Sequence, residues 1–172
     1  MHSGSCTAAS IRRSPAPSDL DDLAAQTVEE VCLAFPERAV RLVIGERGLR
    51  GRYDPGRIVQ VLTNLTRNAI EHSRADTTVT LTVERVEDEG RVSVHNVGEP
   101  IPEELRARLF QPFSSGAGAP SSAGNVGLGL YIASEIVRNH GGRIEVESGA
   151  ESGTTFRVVL PLDTEAESPA PV

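Results

Sequence analysis

Tryptophan is absent from this chain of 172 residues, and its only large aromatic side chains are two tyrosines and four phenylalanines. The core of a domain of this size must therefore be built mostly from Val, Leu, Ile and Ala. Cysteine is equally scarce, and Cys6 and Cys32 form neither a C-x-x-C pair nor the spacing of a metal site. Two isolated thiols argue against a disulfide framework and favour a reducing compartment.

The chain also lacks a basic run and a long apolar run. Its formal net charge is −7, which argues against a surface for nucleic acid or anionic membranes. No stretch approaches the roughly 20 apolar residues of a transmembrane helix, and the N-terminus has no apolar signal segment. We therefore expect a soluble, cytoplasmic chain that contacts neither nucleic acid nor membrane.

One domain between two tails is predicted from the distribution of apolar residues. Residues 1–17 and 163–172 show no hydrophobic period and are expected to be disordered, which leaves residues 18–162 for the fold. The first helix is predicted to begin after Ser18 as N-cap and to stop at Pro36. A second helix is expected to begin with Asp54 as its cap and to bury Ile58, Leu62, Leu65 and Ala69.

Strands are predicted wherever apolar residues alternate with polar ones. The segments expected to form strands are VRLVI, LRGRYD, TTVTLTVERV, RVSVHN, RIEVES and TTFRVVLPL. PEELRARLF is expected to be a short helix, and another helix is expected from about Gly129 to Asn139. The resulting order predicts an α/β fold, a two-layer sandwich with helices packed on one face of a mixed, mostly antiparallel sheet.

Two asparagines in the second predicted helix are candidates for chemistry. Asn64 and Asn68 are four residues apart and so share a helix face. Asparagine is a poor helix former, since its amide competes for backbone hydrogen bonds. The pair is either a solvated polar edge or a pair of amide oxygens that hold a hydrated Mg²⁺ in a cleft.

Two further segments combine glycine with polar groups that could meet a ligand. Asn96 ends a predicted strand shortly before Gly98, a pattern that suits either a simple turn or the edge of a flat ligand. Gly127 and Gly129 precede a helix whose first N–H groups have no helical partner, which favours anion binding. The segment is neither a Walker A loop nor a G-x-G-x-x-G motif, since Ile132 takes the place of the last glycine.

Taken in order, these segments resemble the boxes of the catalytic ATP-binding (HATPase_c) domain of bacterial sensor histidine kinases. NLTRNA resembles the N box, NVGEPIP the first glycine box, LFQPF the F box and GNVGLGLYIASEIVRNHGG the second glycine box. The resemblance covers roughly Ser18 to Leu162. It implies the Bergerat fold, shared with DNA gyrase, a heat-shock chaperone and mismatch-repair ATPases, with ATP and Mg²⁺ bound under a mobile lid.

The resemblance also implies roles for individual residues. Asn64 and Asn68 would be catalytic, with Asn68 holding Mg²⁺ and Asn64 near the γ-phosphate. Asn96 would face the adenine edge, and Gly98 would let the base approach the backbone. Residues 114–126 would form the lid. The remaining implied ATP-binding residues are His72, Ile101, Phe110, Phe113, Gly127, Leu128, Gly129 and Leu130.

The sequence departs from the family pattern at several positions. Asn96 replaces the usual aspartate, which leads to the hypothesis that selection against guanine is relaxed, because an amide both donates and accepts. Glu71 stands where a lysine is common, and the predicted lid carries no Lys or Arg. His72 or Arg67 are the candidates to contact phosphate instead.

None of the four histidines has the sequence context of a phosphoacceptor. The chain is therefore expected to be a monomeric catalytic module that binds nucleotide without labelling itself. Its expected partners are a phosphoacceptor histidine domain and a response regulator. Two alternatives are a serine kinase of the anti-sigma-factor type and a pseudokinase that binds nucleotide and docks a partner.

Overall fold

The computed structural model describes residues 15–112 and 128–163. The helices are α1 (Leu20–Ala34), α2 (Pro55–His72), α3 (Glu103–Arg106) and α4 (Gly129–Asn139). The strands are β1 (Ala16–Asp19), β2 (Val40–Ile44), β3 (Arg50–Tyr53), β4 (Val79–Val86), β5 (Glu89–Asn96), β6 (Arg143–Gly149) and β7 (Gly153–Pro161).

The main sheet has five strands in the order β2-β4-β5-β7-β6. Strand β2 runs parallel to β4, and every other neighbouring pair is antiparallel. The apolar faces of α1, α2 and α4 cover one face of this sheet, so the predicted two-layer α/β sandwich is confirmed. A separate two-stranded antiparallel sheet joins β1 to β3.

Aliphatic residues fill the space between the helices and the sheet. The buried stripe of α2 includes the predicted Ile58, Leu62, Leu65 and Ala69. Strand β5 alternates strictly, so Val92 and Val94 face the helices, and Asn96 ends the same buried row. Alternation therefore carries a polar amide into the helix-facing layer at the end of a strand.

Helix α2 begins as its sequence predicts. Asp54 is the N-cap, and its side chain accepts a hydrogen bond from the backbone N–H of Arg57 at 3.2 Å. Pro55 occupies the first turn, where its missing N–H costs nothing.

Several predicted boundaries were wrong. Asp19, not Ser18, is the N-cap of α1, because the helix begins at Leu20, one residue later than predicted. Strand β1 also includes Ala16 and Pro17, which were assigned to the N-terminal tail, and the rest of that tail lies outside the described residues. Near the other end, the N–H of Asp163 donates to the carbonyl of Arg50 at 2.8 Å, so this residue packs with the domain.

Candidate functional site

The antiparallel packing of α2 against α4 brings the asparagine face of α2 to the start of α4. The Asn64 side-chain Nδ2 donates to the carbonyl oxygen of Gly129, the first residue of α4, at 3.4 Å. Asn68 lies one turn further along α2 and is half-buried. Amide groups and a helix N-terminus thus meet at one place.

The start of α4 offers backbone donors. Leu128 is the N-cap, and the first helical hydrogen bond runs from the N–H of Ile132 to the carbonyl of Leu128 at 2.8 Å. The N–H groups of Gly129 and Leu130 precede that bond, so intrahelical bonding does not require them. Together with the positive end of the helix dipole, they suit an anion.

Within the part of the chain that the structure describes, no atom prevents a side chain at position 129. A Cβ atom built on it meets no atom within 4 Å. By contrast, a Cβ on Gly98 would lie 2.0 Å from the carbonyl oxygen of His72. A close ligand at α4 would explain the glycine at position 129 in the way that the backbone of His72 explains the glycine at position 98.

The end of β5 joins the same region. An isolated bridge pairs Gly98 with Ser73, the residue that follows α2, so the chain after β5 crosses the C-terminal end of α2. Asn96 is only 2% exposed. The role predicted for Gly98, close approach of a base, thus has a second explanation in the contact between its backbone and that of α2.

The other predicted site residues lie in several different elements, and some lie outside the described residues. His72 is the exposed last residue of α2. Ile101 donates its N–H to Ser148 Oγ at 2.8 Å, and the Phe110 ring packs edge-on against Phe156 with centroids 6.4 Å apart. Phe113, Gly127 and the predicted lid lie outside the described residues.

The two predicted substitutes for a phosphate-binding lysine, Arg67 and His72, both lie on α2. The Arg67 guanidinium stacks 5.8 Å from the centroid of the Phe35 ring, which follows α1. His72 is exposed at the end of α2. Within residues 15–112 and 128–163, no group of three or more His, Cys, Asp or Glu could hold a metal ion. The polar side chains at this site are amides.

A pair of hydroxyl groups, one buried and one half-buried, was missed by sequence reasoning. Thr154 is paired with Asn96 across β5 and β7 and is almost fully buried. Its Oγ1 lies 2.7 Å from Ser148 Oγ. The only sequence signal was alternation in β7, which predicts an inward-facing side chain but not its partner.

A surface cleft of about 460 Å³ lies at the opposite end of the α2–α4 pair. Two of its polar lining residues bond within the fold: His140 accepts from the N–H of Asp54, and Arg57 donates to Gln60. We place the candidate site at the other end, where Asn64 and Asn68 of α2 meet the first backbone N–H groups of α4.

No helix in the described ranges is long and apolar enough to cross a membrane.

Comparison with known proteins agrees with this geometry. A family model described as histidine kinase-, DNA gyrase B- and HSP90-like ATPase matches residues 53–164. The circadian input-output histidine kinase CikA of Synechococcus elongatus is 35% identical over 160 residues, which is 90% of this chain and 21% of that protein. The chain spans about a fifth to a quarter of the length of such curated relatives.

Solved structures show the same fold. The nucleotide-free catalytic domain of histidine kinase ThkA superposes with a TM-score of 0.72 at 32% identity, covering 86% of this chain and 95% of that one. Full-length ShkA in complex with AMPPNP superposes with a TM-score of 0.76 at 27% identity, covering 88% of this chain and 32% of that one. The chain therefore belongs to the family of histidine kinase-, DNA gyrase B- and HSP90-like ATPases, as a catalytic ATP-binding domain of the sensor histidine kinase type.

Proposed function

We propose that this chain binds Mg·ATP between the asparagine face of α2 and the start of α4, and presents the γ-phosphate to a histidine of a separate helical hairpin domain. One observation carries the proposal: the contact from Asn64 to the Gly129 carbonyl joins the amide face to a helix N-terminus. Amide oxygens and unpaired backbone N–H groups are the two kinds of group that a metal-bound triphosphate needs.

The triphosphate would lie against the first turn of α4. The N–H groups of Gly129 and Leu130 would donate to its oxygens, and the absence of a side chain at Gly129 would allow that approach. Asn64, on the same side, would orient the terminal phosphate. In phosphoryl transfer such positioning and charge neutralisation supply most of the catalysis.

The residues of this cleft fit Mg²⁺, which takes few protein ligands and usually shares phosphate oxygens. The side-chain oxygen of Asn68 would hold the ion, one turn from Asn64 on the same helix face. When bound, the ion would neutralise charge on the phosphates.

The acceptor would come from another domain. His140 uses both ring nitrogens within the fold, since Nε2 accepts from the N–H of Asp54 at 3.0 Å and Nδ1 donates to the Ile136 carbonyl at 2.7 Å. His95 lies within β5 and bonds Thr155 through Nδ1 at 3.0 Å. His72 is exposed but lies on the nucleotide-binding domain itself.

The wider setting follows from the family. A phosphohistidine formed on the hairpin would pass its phosphoryl group to a response regulator, as two-component signalling requires, and the use of ATP would place the domain in the cytoplasm. All the relatives and structures named above are histidine kinases, so a serine kinase of the anti-sigma-factor type is not favoured.

Calorimetric titration with a non-hydrolysable ATP analogue, with and without Mg²⁺, tests the proposal. We expect micromolar to millimolar affinity that rises when Mg²⁺ is added. In the Asn68→Ala variant this gain should be mostly lost, while Asn139→Ala, an exposed asparagine at the other end of α4, should bind like the natural chain.

A chain that binds no nucleotide, or binds it equally well without Mg²⁺, would contradict the proposal. Incubation with γ-labelled ATP provides a second arm, in which no label should enter the isolated chain. Transfer should appear only when a hairpin domain is added, and its absence with every hairpin tried would favour a nucleotide-binding pseudokinase.

A further inference from the structure

Asn96 stands apart from the other buried polar residues. Within the described ranges four polar residues are almost fully buried: Thr27, Thr66, Asn96 and Thr154. The hydroxyls of Thr27 and Thr66 donate to carbonyls one turn earlier in their helices, and Thr154 pairs with Ser148. No hydrogen bond from any described residue reaches the Asn96 side chain.

An unpaired amide in this position calls for an external partner. Asn96 is 2% exposed, at the end of the helix-facing row of β5. Burying an amide without a hydrogen bond is unfavourable, because its hydration is lost and nothing replaces it. The chain after Asn96 crosses the end of the asparagine-bearing helix. A ligand in the same cleft would supply the missing bonds.

The surroundings leave both orientations of this amide open. Ser148 Oγ is occupied by Thr154 on one side and by the N–H of Ile101 on the other. The oxygen and nitrogen of an asparagine amide exchange places by a half-turn about one bond, and only a hydrogen-bonding partner selects between them. Within the described ranges no such partner exists for Asn96.

We propose that Asn96 reads position 6 of a purine in either orientation, so that the site takes 6-oxo purine nucleotides, those of inosine and guanosine, as well as adenosine nucleotides. This inference rests on the proposed function, because it assumes that the base of the bound nucleotide meets Asn96. The amide oxygen would accept from a 6-amino group, and the amide nitrogen would donate to a 6-carbonyl. An ionised carboxylate at the same place could only accept.

Calorimetry with ATP and with inosine triphosphate, both with Mg²⁺, tests the inference directly. The two nucleotides differ only at position 6 and in the adjoining N1 proton. For the natural chain we expect dissociation constants within about tenfold of each other. A dissociation constant for inosine triphosphate more than about tenfold above that for ATP would overturn the inference.

Two variants connect this ratio to Asn96. In Asn96→Asp, which keeps the size of the side chain, the preference for ATP over inosine triphosphate should rise at least about tenfold. In Asn96→Ala both affinities should fall by similar factors. An unchanged ratio in Asn96→Asp, or loss of ATP affinity alone in Asn96→Ala, would overturn the inference.

The experiment still tests the inference if one of the variants is unstable. Thermal melting identifies a misfolded Asn96→Asp chain, and the natural chain together with Asn96→Ala then decides the question. If the natural chain binds neither nucleotide, the proposed function fails. If it binds ATP and discriminates strongly against inosine triphosphate, only the inference about Asn96 fails.

Discussion

The two ends of the α2–α4 helix pair differ in how far the chain satisfies its own polar groups. At one end the His140 ring, at the C-cap of α4, accepts through Nε2 from the N–H of Asp54 and donates through Nδ1 to the Ile136 carbonyl of its own helix, and it packs 6.4 Å from the Tyr53 ring. At the other end, within residues 15–112 and 128–163, the hydrogen bond that links the two helices is the 3.4 Å contact from Asn64 Nδ2 to the Gly129 carbonyl oxygen, which is long for a hydrogen bond.

The two ends of this helix pair therefore have different roles. The His140 end joins the two helices through a hydrogen bond that needs no ligand. The asparagine end presents amides and N–H groups that a ligand can complete. The hydrogen bond at the His140 end fixes the position of α4 relative to α2. The amides and N–H groups at the asparagine end are therefore held in place before a ligand binds.

Glycines flanking α4 offer the sharpest test of this contrast. A Cβ on Gly142 would lie 2.2 Å from the carbonyl oxygen of Val159, whereas a Cβ on Gly129 meets nothing within 4 Å. Gly142→Ala should lower the free energy of unfolding by about 3 kcal/mol, because backbone must move. Gly129→Ala should raise it by about 0.5 kcal/mol through helix propensity.

Urea denaturation measures both changes, and calorimetry supplies the second half of the test. Despite its added stability, Gly129→Ala should bind an ATP analogue at least about tenfold more weakly, because the methyl group would meet the phosphates. A destabilised Gly129→Ala chain would show that the space beside Gly129 is already filled in the free protein. Unchanged nucleotide binding would show that the phosphates do not lie against Gly129.

The contribution of His140 is the next largest expected effect. His140→Ala removes two hydrogen bonds and leaves the N–H of Asp54 without its partner, so stability should fall by about 2 kcal/mol. The control is His72→Ala, at the exposed end of α2, where a change within about 0.5 kcal/mol is expected. Equal melting temperatures for the two variants would show that the His140 bonds do not hold the helix pair.

Local sequence signals were enough to predict α2 and α4. Asp54 before Pro55 marks a helix start, and the apolar stripe of α2 repeats at helical spacing, so no distant contact was needed. The inward position of Asn96 is likewise implied by alternation along β5. These features depend on neighbours within a few residues.

Contacts between distant segments could not be read in this way. Strand β1 is short and contains Pro17, and its pairing with β3 depends on residues more than 30 positions away, such as Arg50, which bonds Asp19 at 2.8 Å. The bond from Asp54 to His140 spans 86 positions. Such pairs follow from the packed fold, and a single sequence does not specify them.

The smallest expected effect concerns Tyr53, which lies beside His140 at the His140 end of the helix pair. Tyr53 is fully buried, and its hydroxyl donates to the carbonyl of Pro161. Burial, and secondarily the nearby Asp163 carboxylate, raise the pKa of the Tyr53 phenol above its usual value. Because folding raises this pKa, the neutral phenol contributes to the free energy of unfolding. That contribution is fully present below the unfolded-state pKa, about 10, and is lost as pH rises above it.

Tyr53→Phe should therefore cost about 1 kcal/mol at pH 7, from the lost hydrogen bond, and should flatten the decline of stability above about pH 10. The measurement is clean because all 17 basic residues are arginines, so no lysine titrates in this range. Tyr131→Phe, which alters the only other phenol, is the control and should keep the decline. If the decline persisted in Tyr53→Phe and vanished in Tyr131→Phe, ionisation of the buried Tyr53 phenol would not be its cause.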